Sequence, residues 1–288
     1  MFFVVPLKCD KLHNIVNIIE SIILGIVQGL TEFLPVSSSG HLVLVGKLLK
    51  LPNQQDIQFI RFVVIVHLGT LAAVICIYRT QVRRLLKGIF RGRIRLQNGK
   101  WKFQNPDTKM VCLLALATIP AVLVGVLFNN MIKGAFGNPL AAGVCLAVTG
   151  LVLFFLRFKK PEQEKVTSPR ALIIGIAQAV AILPGMSRSG LTISAGIYSG
   201  VERTRAAEFS FLLSIPVILG AGLMEFRETA STGLAWTEGI SLAAGGLAAA
   251  ISGYLAIRFL LNVIKKGRLH YFAYYCWLVA LIVIICYV

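Results

Sequence analysis

Between residues 25 and 41 the chain reads G-I-V-Q-G-L-T-E-F-L-P-V-S-S-S-G-H. Gln28, Glu32, Ser37, Ser38, Ser39, Gly40 and His41 stand together inside apolar sequence. Such groups are costly in hydrocarbon unless they are paired or used, so together they predict a water-filled cavity inside the protein. Gln28 and Glu32, four apart, fall on one face of a helix ending near Leu34, and Pro35 breaks that helix. Ser37, Ser38 or Ser39 then caps a second helix, whose free N–H groups make an anion site. Ser38 and His41, three apart at its first turn, can bring a hydroxyl to an imidazole. A carboxylate, a hydroxyl nucleophile, an imidazole and an anion cradle are the parts of phosphoryl chemistry.

The stretch has an echo. Residues 175–191 read G-I-A-Q-A-V-A-I-L-P-G-M-S-R-S-G-L. At an offset of 150, Gly25, Ile26, Gln28, Ser37, Ser39, Gly40 and Gly46 match Gly175, Ile176, Gln178, Ser187, Ser189, Gly190 and Gly196. Pro35 and Pro184 miss register by one. Glu32 faces Ile182, Ser38 faces Arg188, and His41 faces Leu191. The scaffold is duplicated, with acid and imidazole in one copy and a cation in the other. Such a division predicts two half-sites facing each other.

The elements that must position these residues are membrane helices. The 288 residues are 57% hydrophobic and only 14% charged, with a mean hydropathy of +0.79. That excludes an ordinary soluble domain and predicts an all-α polytopic membrane protein. The net charge of +17 sits in short segments between apolar spans, where it orients the chain, so no nucleic-acid partner is expected. Six scattered cysteines without a C-x-x-C read as small apolar residues. The N-terminus lacks a basic region ahead of its short apolar run, so no cleaved signal peptide is expected.

The expected elements are a hairpin of 15–34 and 38–51, spans at 59–78, 110–128 and 139–158, a second hairpin of 171–183 and 187–200, and spans at 206–226, 239–261 and 271–288. The helix 38–51 is too short to cross about 30 Å of hydrocarbon. The hairpins therefore read as re-entrant, with irregular backbone at depth held inside protein. Segments 79–109, 157–170 and 265–268 are basic and assigned to the cytoplasm. The first hairpin then enters from outside and the second from inside, an inverted-topology repeat of about 15–158 and 171–288 within one integral domain, 1–288. Six full spans and two hairpins are expected, with both termini outside and no sheet. The basic stretch 79–109 is expected to meet anionic lipid headgroups.

At these residues the chain resembles the undecaprenyl-diphosphate phosphatase, or bacitracin-resistance, family. The family shows (E/Q)-x-x-x-E followed by P-x-S-S-x-G-H, here Gln28–Glu32 and Pro35-Val36-Ser37-Ser38-Ser39-Gly40-His41. It also shows P-G-x-S-R-S-G-x-T, here Pro184-Gly185-Met186-Ser187-Arg188-Ser189-Gly190-Leu191-Thr192. The resemblance runs from about Ile19 to the last span, and two long motifs in order are specific. Gln28 stands where many relatives have glutamate. The resemblance implies a bacterial plasma-membrane enzyme, its site facing outside, that cleaves undecaprenyl diphosphate to the monophosphate and inorganic phosphate. That recycles the lipid carrier of cell-wall precursors. The alternative is a transporter or flippase of a lipid phosphate or other anion, using the hairpins as gates. A serine–histidine pair at helical spacing favours the enzyme.

Phosphoryl transfer needs charge neutralisation, a nucleophile and a stabilised leaving group in line. Arg188 offers a planar fork to phosphate oxygens. Ser37, Ser39, Ser187, Ser189 and Thr192 offer hydroxyls, and Gly40 and Gly190 lie at the two helix starts. Glu32 and Gln28 can hold Mg²⁺ or Ca²⁺, with diphosphate oxygens completing the shell. The nucleophile stays open between Ser38 with His41 as base, His41 itself, and water. Each part has a plainer reading. A serine–glycine turn is often only a cap, and Arg188 could be only an ion-pair partner of Glu32. Their coincidence at two related breaks weighs against that. His67 and Glu208 also lie in spans and are read as a packed core histidine and a helix-end carboxylate, outside the site. Oligomeric state, a homodimer included, stays open.

Overall fold

The computed structural model describes residues 17–49, 51, 57–91, 94–97, 100–103, 105–128, 139–160, 162–232 and 236–287. Over these the chain is almost entirely helical. The first helix, α1 (Ile18–Phe33), starts at a reciprocal cap: the Asn17 side chain accepts from the Glu20 N–H, and the Glu20 carboxylate accepts from the Asn17 N–H, both at 2.9 Å. It stops at Leu34, which turns extended ahead of Pro35. Then follow α2 (Ser38–Leu48), α3 (Ile57–Ile77), α4 (Arg79–Arg91), strands β1 (Ile94–Gln97) and β2 (Lys100–Phe103), α5 (Pro106–Leu127) and α6 (Pro139–Phe155). The second half contains α7 (Ser168–Val180), α8 (Arg188–Tyr198), α9 (Arg203–Thr232), α10 (Trp236–Lys265) and α11 (Phe272–Tyr287). The helices α2 and α8 begin and end 150 residues apart, matching the offset of the repeated motif.

Five helical stretches are long and apolar enough to cross a membrane: Phe59–Ile77, Pro106–Leu127, Pro139–Phe158, Glu238–Lys265 and Leu269–Tyr287. The chain is a multi-pass membrane protein. The expected sixth span, 206–226, lies within α9, which is 30 residues long and carries Arg203, Arg205 and Glu208 in its first turns. It is not among the five over its described residues. The expectation of no sheet needs correcting. Within the basic stretch 79–109, β1 pairs antiparallel with β2, Ile94 opposite Phe103. Ahead of them α4 places Val82, Leu85, Leu86, Ile89 and Phe90 at helical spacing between its cations. Charge dominated that stretch in the sequence and hid both periodicities.

Apolar side chains face both ways, as a lipid-exposed bundle requires. Inside, Phe33, Leu153, Ile174, Ile193, Phe209, Phe211, Leu212, Leu213, Ile257 and Leu260 form one cluster, and Leu24, Leu42, Phe62, Val66, Leu242 and Ala249 a second. Outside, residues such as Val126, Leu127, Leu223 and Ile285 are about 70% exposed. In water those patches would be aggregation surfaces; in hydrocarbon they are the ordinary boundary. The five described cysteines are free.

The seam that fixes α1 uses glycine. A Cβ on Gly29 would stand 2.5 Å from the Ala249 carbonyl oxygen and overlap the Ser252 hydroxyl on α10. Gly29→Ala is therefore expected to push the two helices apart and cost about 1–3 kcal/mol. Gly125→Ala, with nothing within 4 Å, is the neutral control. Thermal unfolding of both variants in detergent reads the difference, and equal midpoints would show that the seam yields freely.

Candidate active site at two helix breaks

The two breaks share a local design. Ser37 caps α2, its Oγ accepting from the Gly40 N–H at 3.4 Å and lying 3.3 Å from Ser39 Oγ. Ser187 caps α8 in the same way, with Gly190 N–H at 3.1 Å and Ser189 Oγ at 3.2 Å. Each cap satisfies one N–H of the first turn. The first break is the more strained: Ser37 has φ 66°, a region that L-residues rarely adopt. That conformation turns its carbonyl to the ring of His41.

The breaks also touch each other. Arg188 Nη2 donates to Glu32 Oε1. Ser189 Oγ donates to the Leu34 carbonyl at 3.1 Å, and Gly190 packs against Pro35. The acid of one copy and the cation of the other thus form one partly buried centre. Glu32, 7% exposed, is its hub. Its Oε2 accepts from Ser38 Oγ at 2.6 Å and from Gln28 Nε2 at 3.0 Å. Gln28 is fully buried, and its Oε1 has no partner. The echo position, Gln178, is buried with neither amide atom paired, and Ile182 stands where the carboxylate would be.

The pairing of Ser38 with His41 is not what the fold makes. Ser38 leans across the Pro35 break to Glu32, six residues back. His41 Nδ1 lies 2.8 Å from the Ser37 carbonyl, which only accepts, so Nδ1 carries the proton. Its Nε2 is 2.8 Å from the hydroxyl of Tyr275 on α11, and the two rings stack. In the neutral ring that hydroxyl is the donor. Thr192 also departs from the expected phosphate-binding set. Its hydroxyl donates to the Arg188 carbonyl at 2.7 Å and meets Ser210 Oγ of α9 at 2.6 Å, with no exposed surface. It fastens the start of α8. Ser187 and Ser189 are likewise buried in caps and crossing bonds, whereas Ser38, Ser39, Gly40, His41 and Arg188 keep partial exposure.

Two residues were missed. Tyr275 carries no local signal, standing 234 residues from its partner. His67 on α3 was set aside as core, yet its Nε2 lies 3.5 Å from Glu32 Oε2 while Nδ1 faces the Val63 carbonyl at 2.7 Å. The intramembrane position itself was the signal. Glu208 stays outside the site. Among the described residues no group of three His, Cys, Asp or Glu side chains could hold a metal by itself.

Beside this centre an apolar groove of about 590 Å³ is lined by Leu30, Leu34, Val36, Phe259, Phe272 and Tyr275, among others. It adjoins the first break through Leu34 and Val36, and shares Tyr275 with His41.

The chain is similar to known proteins along most of its length. Residues 21–282 match the family model described as bacitracin resistance protein BacA. An undecaprenyl-diphosphatase of Halothermothrix orenii is 41% identical over 272 residues, covering 93% of this chain and 98% of that protein. Proteins of the same name from Korarchaeum cryptofilum and Methanobrevibacter smithii are 38% and 39% identical, each covering 93% of this chain and 98% and 96% of their own length. The paired motifs, their helical setting and this end-to-end similarity lead to one conclusion: the chain belongs to the bacitracin resistance protein BacA family.

Proposed function

We propose that the chain is a membrane phosphatase that hydrolyses undecaprenyl diphosphate to undecaprenyl phosphate and inorganic phosphate. The observation that carries this is the Ser38–Glu32–Arg188 chain at the junction of two capped helix starts. Its hydroxyl is held by a carboxylate, and a guanidinium stands on the other side of that carboxylate. Relatives named undecaprenyl-diphosphatase support the substrate. The transport reading gains no support from these residues.

Ser38 Oγ attacks the terminal phosphorus. Its proton moves to Glu32 Oε2, a new O–P bond forms, and the bridging P–O bond breaks toward undecaprenyl phosphate. Water then releases phosphate from the serine and restores the hydroxyl proton. The transition state is loose, so positioning and charge neutralisation matter more than base strength. Arg188 keeps N–H groups beyond its contact with Glu32, and these take equatorial phosphoryl oxygens. The free N–H groups at the start of α2 add to that cradle. His41, turned from Ser38, stands with Tyr275 on the leaving-group side, where its ring passes a proton to the departing lipid phosphate only after Nε2 has taken one up. The adjoining apolar groove suits the isoprenoid end.

A divalent cation fits the residues present. Glu32 and the unpartnered amide oxygen of Gln28 are hard oxygen donors, and diphosphate oxygens complete such a shell. When bound, the ion would neutralise charge on the diphosphate.

The helix pairs α1–α2 and α7–α8 read as re-entrant hairpins of opposite topology, their breaks meeting at depth. What supports this is the shared offset, the brevity of α2 and α8 at 11 residues each, and the contact between the breaks. With basic segments in the cytoplasm, the site opens outside. On intact cells expressing a cysteine-free background, a membrane-impermeant maleimide is expected to label Asn130→Cys and spare Gly92→Cys. The reverse pattern would turn the site inward. The activity itself is tested by phosphate release from undecaprenyl diphosphate by purified protein in detergent. No release above a protein-free control, with divalent cation present, would overturn the function.

A further inference from the structure

The carboxylate of Glu32 has two differently furnished ends. Oε1 takes the guanidinium of Arg188. Around Oε2 stand Ser38 Oγ, Gln28 Nε2 and, at 3.5 Å, His67 Nε2. Three observations single out the last of these. His67 Nδ1 lies 2.7 Å from the Val63 carbonyl, which only accepts, so Nδ1 carries a proton and Nε2 is the nitrogen turned to the carboxylate. The 3.5 Å gap is long for a hydrogen bond, but close to the separation of two ligand atoms each about 2.1 Å from one ion. A histidine whose far nitrogen donates to a backbone carbonyl is also the usual posture of a metal ligand. Independently, Gln28 Oε1 is buried without a partner in a residue that has no exposed surface, and a half turn of the amide exchanges Oε1 with the Nε2 now on Glu32.

We propose that His67 completes a divalent-cation site with Glu32 and Gln28, giving the ion one nitrogen and two oxygen ligands from the protein. The inference rests on the phosphatase reading for the ion's use, and on α3 for a ligand outside both repeated motifs. Where α10 packs on α3 it presents Gly246 and Gly253, and α9 presents Gly222 to Leu68. Arg188 reaches the carboxylate from its far oxygen. Replacing a carboxylate by Gln28 removes one negative charge, and the imidazole restores a third donor without restoring the charge. Such a mixed set suits Mn²⁺ better than Ca²⁺, which takes oxygen ligands.

The test is Mn²⁺ binding to the purified full-length protein in detergent, without lipid. Pulsed electron paramagnetic resonance reads directly coordinated ¹⁴N, and calorimetry reads affinity. The expected result is a nitrogen coupling in the wild type that persists in His41→Gln and disappears in His67→Gln. Mn²⁺ affinity should fall about tenfold or more in His67→Gln, while Ca²⁺ affinity holds. Bound Mn²⁺ with no coordinated nitrogen, a coupling that survives His67→Gln, or no Mn²⁺ binding would each overturn the site. The wild-type spectrum needs no variant, so a poorly folded substitution leaves the test intact. Binding is read without turnover. Nitrogen-ligated Mn²⁺ in a protein that releases no phosphate would therefore sink the phosphatase reading and keep the site, and phosphate release with an all-oxygen ion would do the opposite.

Discussion

Arg188→Lys is expected to lower turnover by about 100-fold or more while the protein stays folded. Lysine keeps the charge and can reach Glu32, so the bond between the two breaks has a substitute. It cannot keep the fork. In the structure one guanidinium nitrogen serves Glu32 Oε1, which leaves the other N–H groups for phosphoryl oxygens. A single ammonium must choose between carboxylate and phosphate, and it lacks the fixed plane that holds two oxygens together. Phosphate release at saturating substrate, with the unfolding midpoint checked beside it, measures the effect. Near-normal turnover would show that Arg188 supplies positive potential alone.

The largest loss is expected from Ser38→Ala, on the order of 10³-fold or more. Glu32→Gln should approach it, and the double variant should be little worse than Ser38→Ala. Groups that act in one step are non-additive, because the first loss already disables the second. The 2.6 Å bond from Ser38 Oγ to Glu32 Oε2 makes these two the unit. His41 lies outside it, held by the Ser37 carbonyl and Tyr275. Losses in Ser38→Ala and His41→Ala should therefore multiply if any activity remains to be measured. A Ser38–His41 double variant no worse than either single would restore the pairing that the spacing suggested. Full activity in Ser38→Ala would give the attack to water.

Much of this centre was legible in the chain itself. Polar residues at Gln28, Glu32 and 37–41 could not sit in lipid unused, and the offset of 150 pointed to the same place on α8. The caps at Ser37 and Ser187 followed from residue type, because a serine before a glycine-rich first turn has few other uses. What spacing could not show was direction. Three residues apart at a helix start places Ser38 and His41 in one turn, but the Pro35 break and the φ of Ser37 decide which neighbour each meets. Tyr275 was beyond reach for another reason, since it comes from a distant helix with no local signal; His67 carried one in its place inside an apolar span, but one histidine there does not show which helix it meets. Within 79–109 the cations masked α4 and the β1–β2 pair.

The crossing bond between the breaks also sets a schedule for biogenesis. Arg188 follows Glu32 by 156 residues, so at about 5–20 residues per second the ribosome delivers the partner on the order of ten seconds or more after the acid. Through that interval the carboxyl group has to enter the membrane region without its guanidinium. The donors on its other oxygen are local: Gln28 precedes it by four residues and Ser38 follows by six. They emerge with it and can shield it during insertion. The nascent α1–α2 pair thus carries its own chaperoning hydrogen bonds, and Arg188 arrives last, as the latch that closes a centre already half assembled.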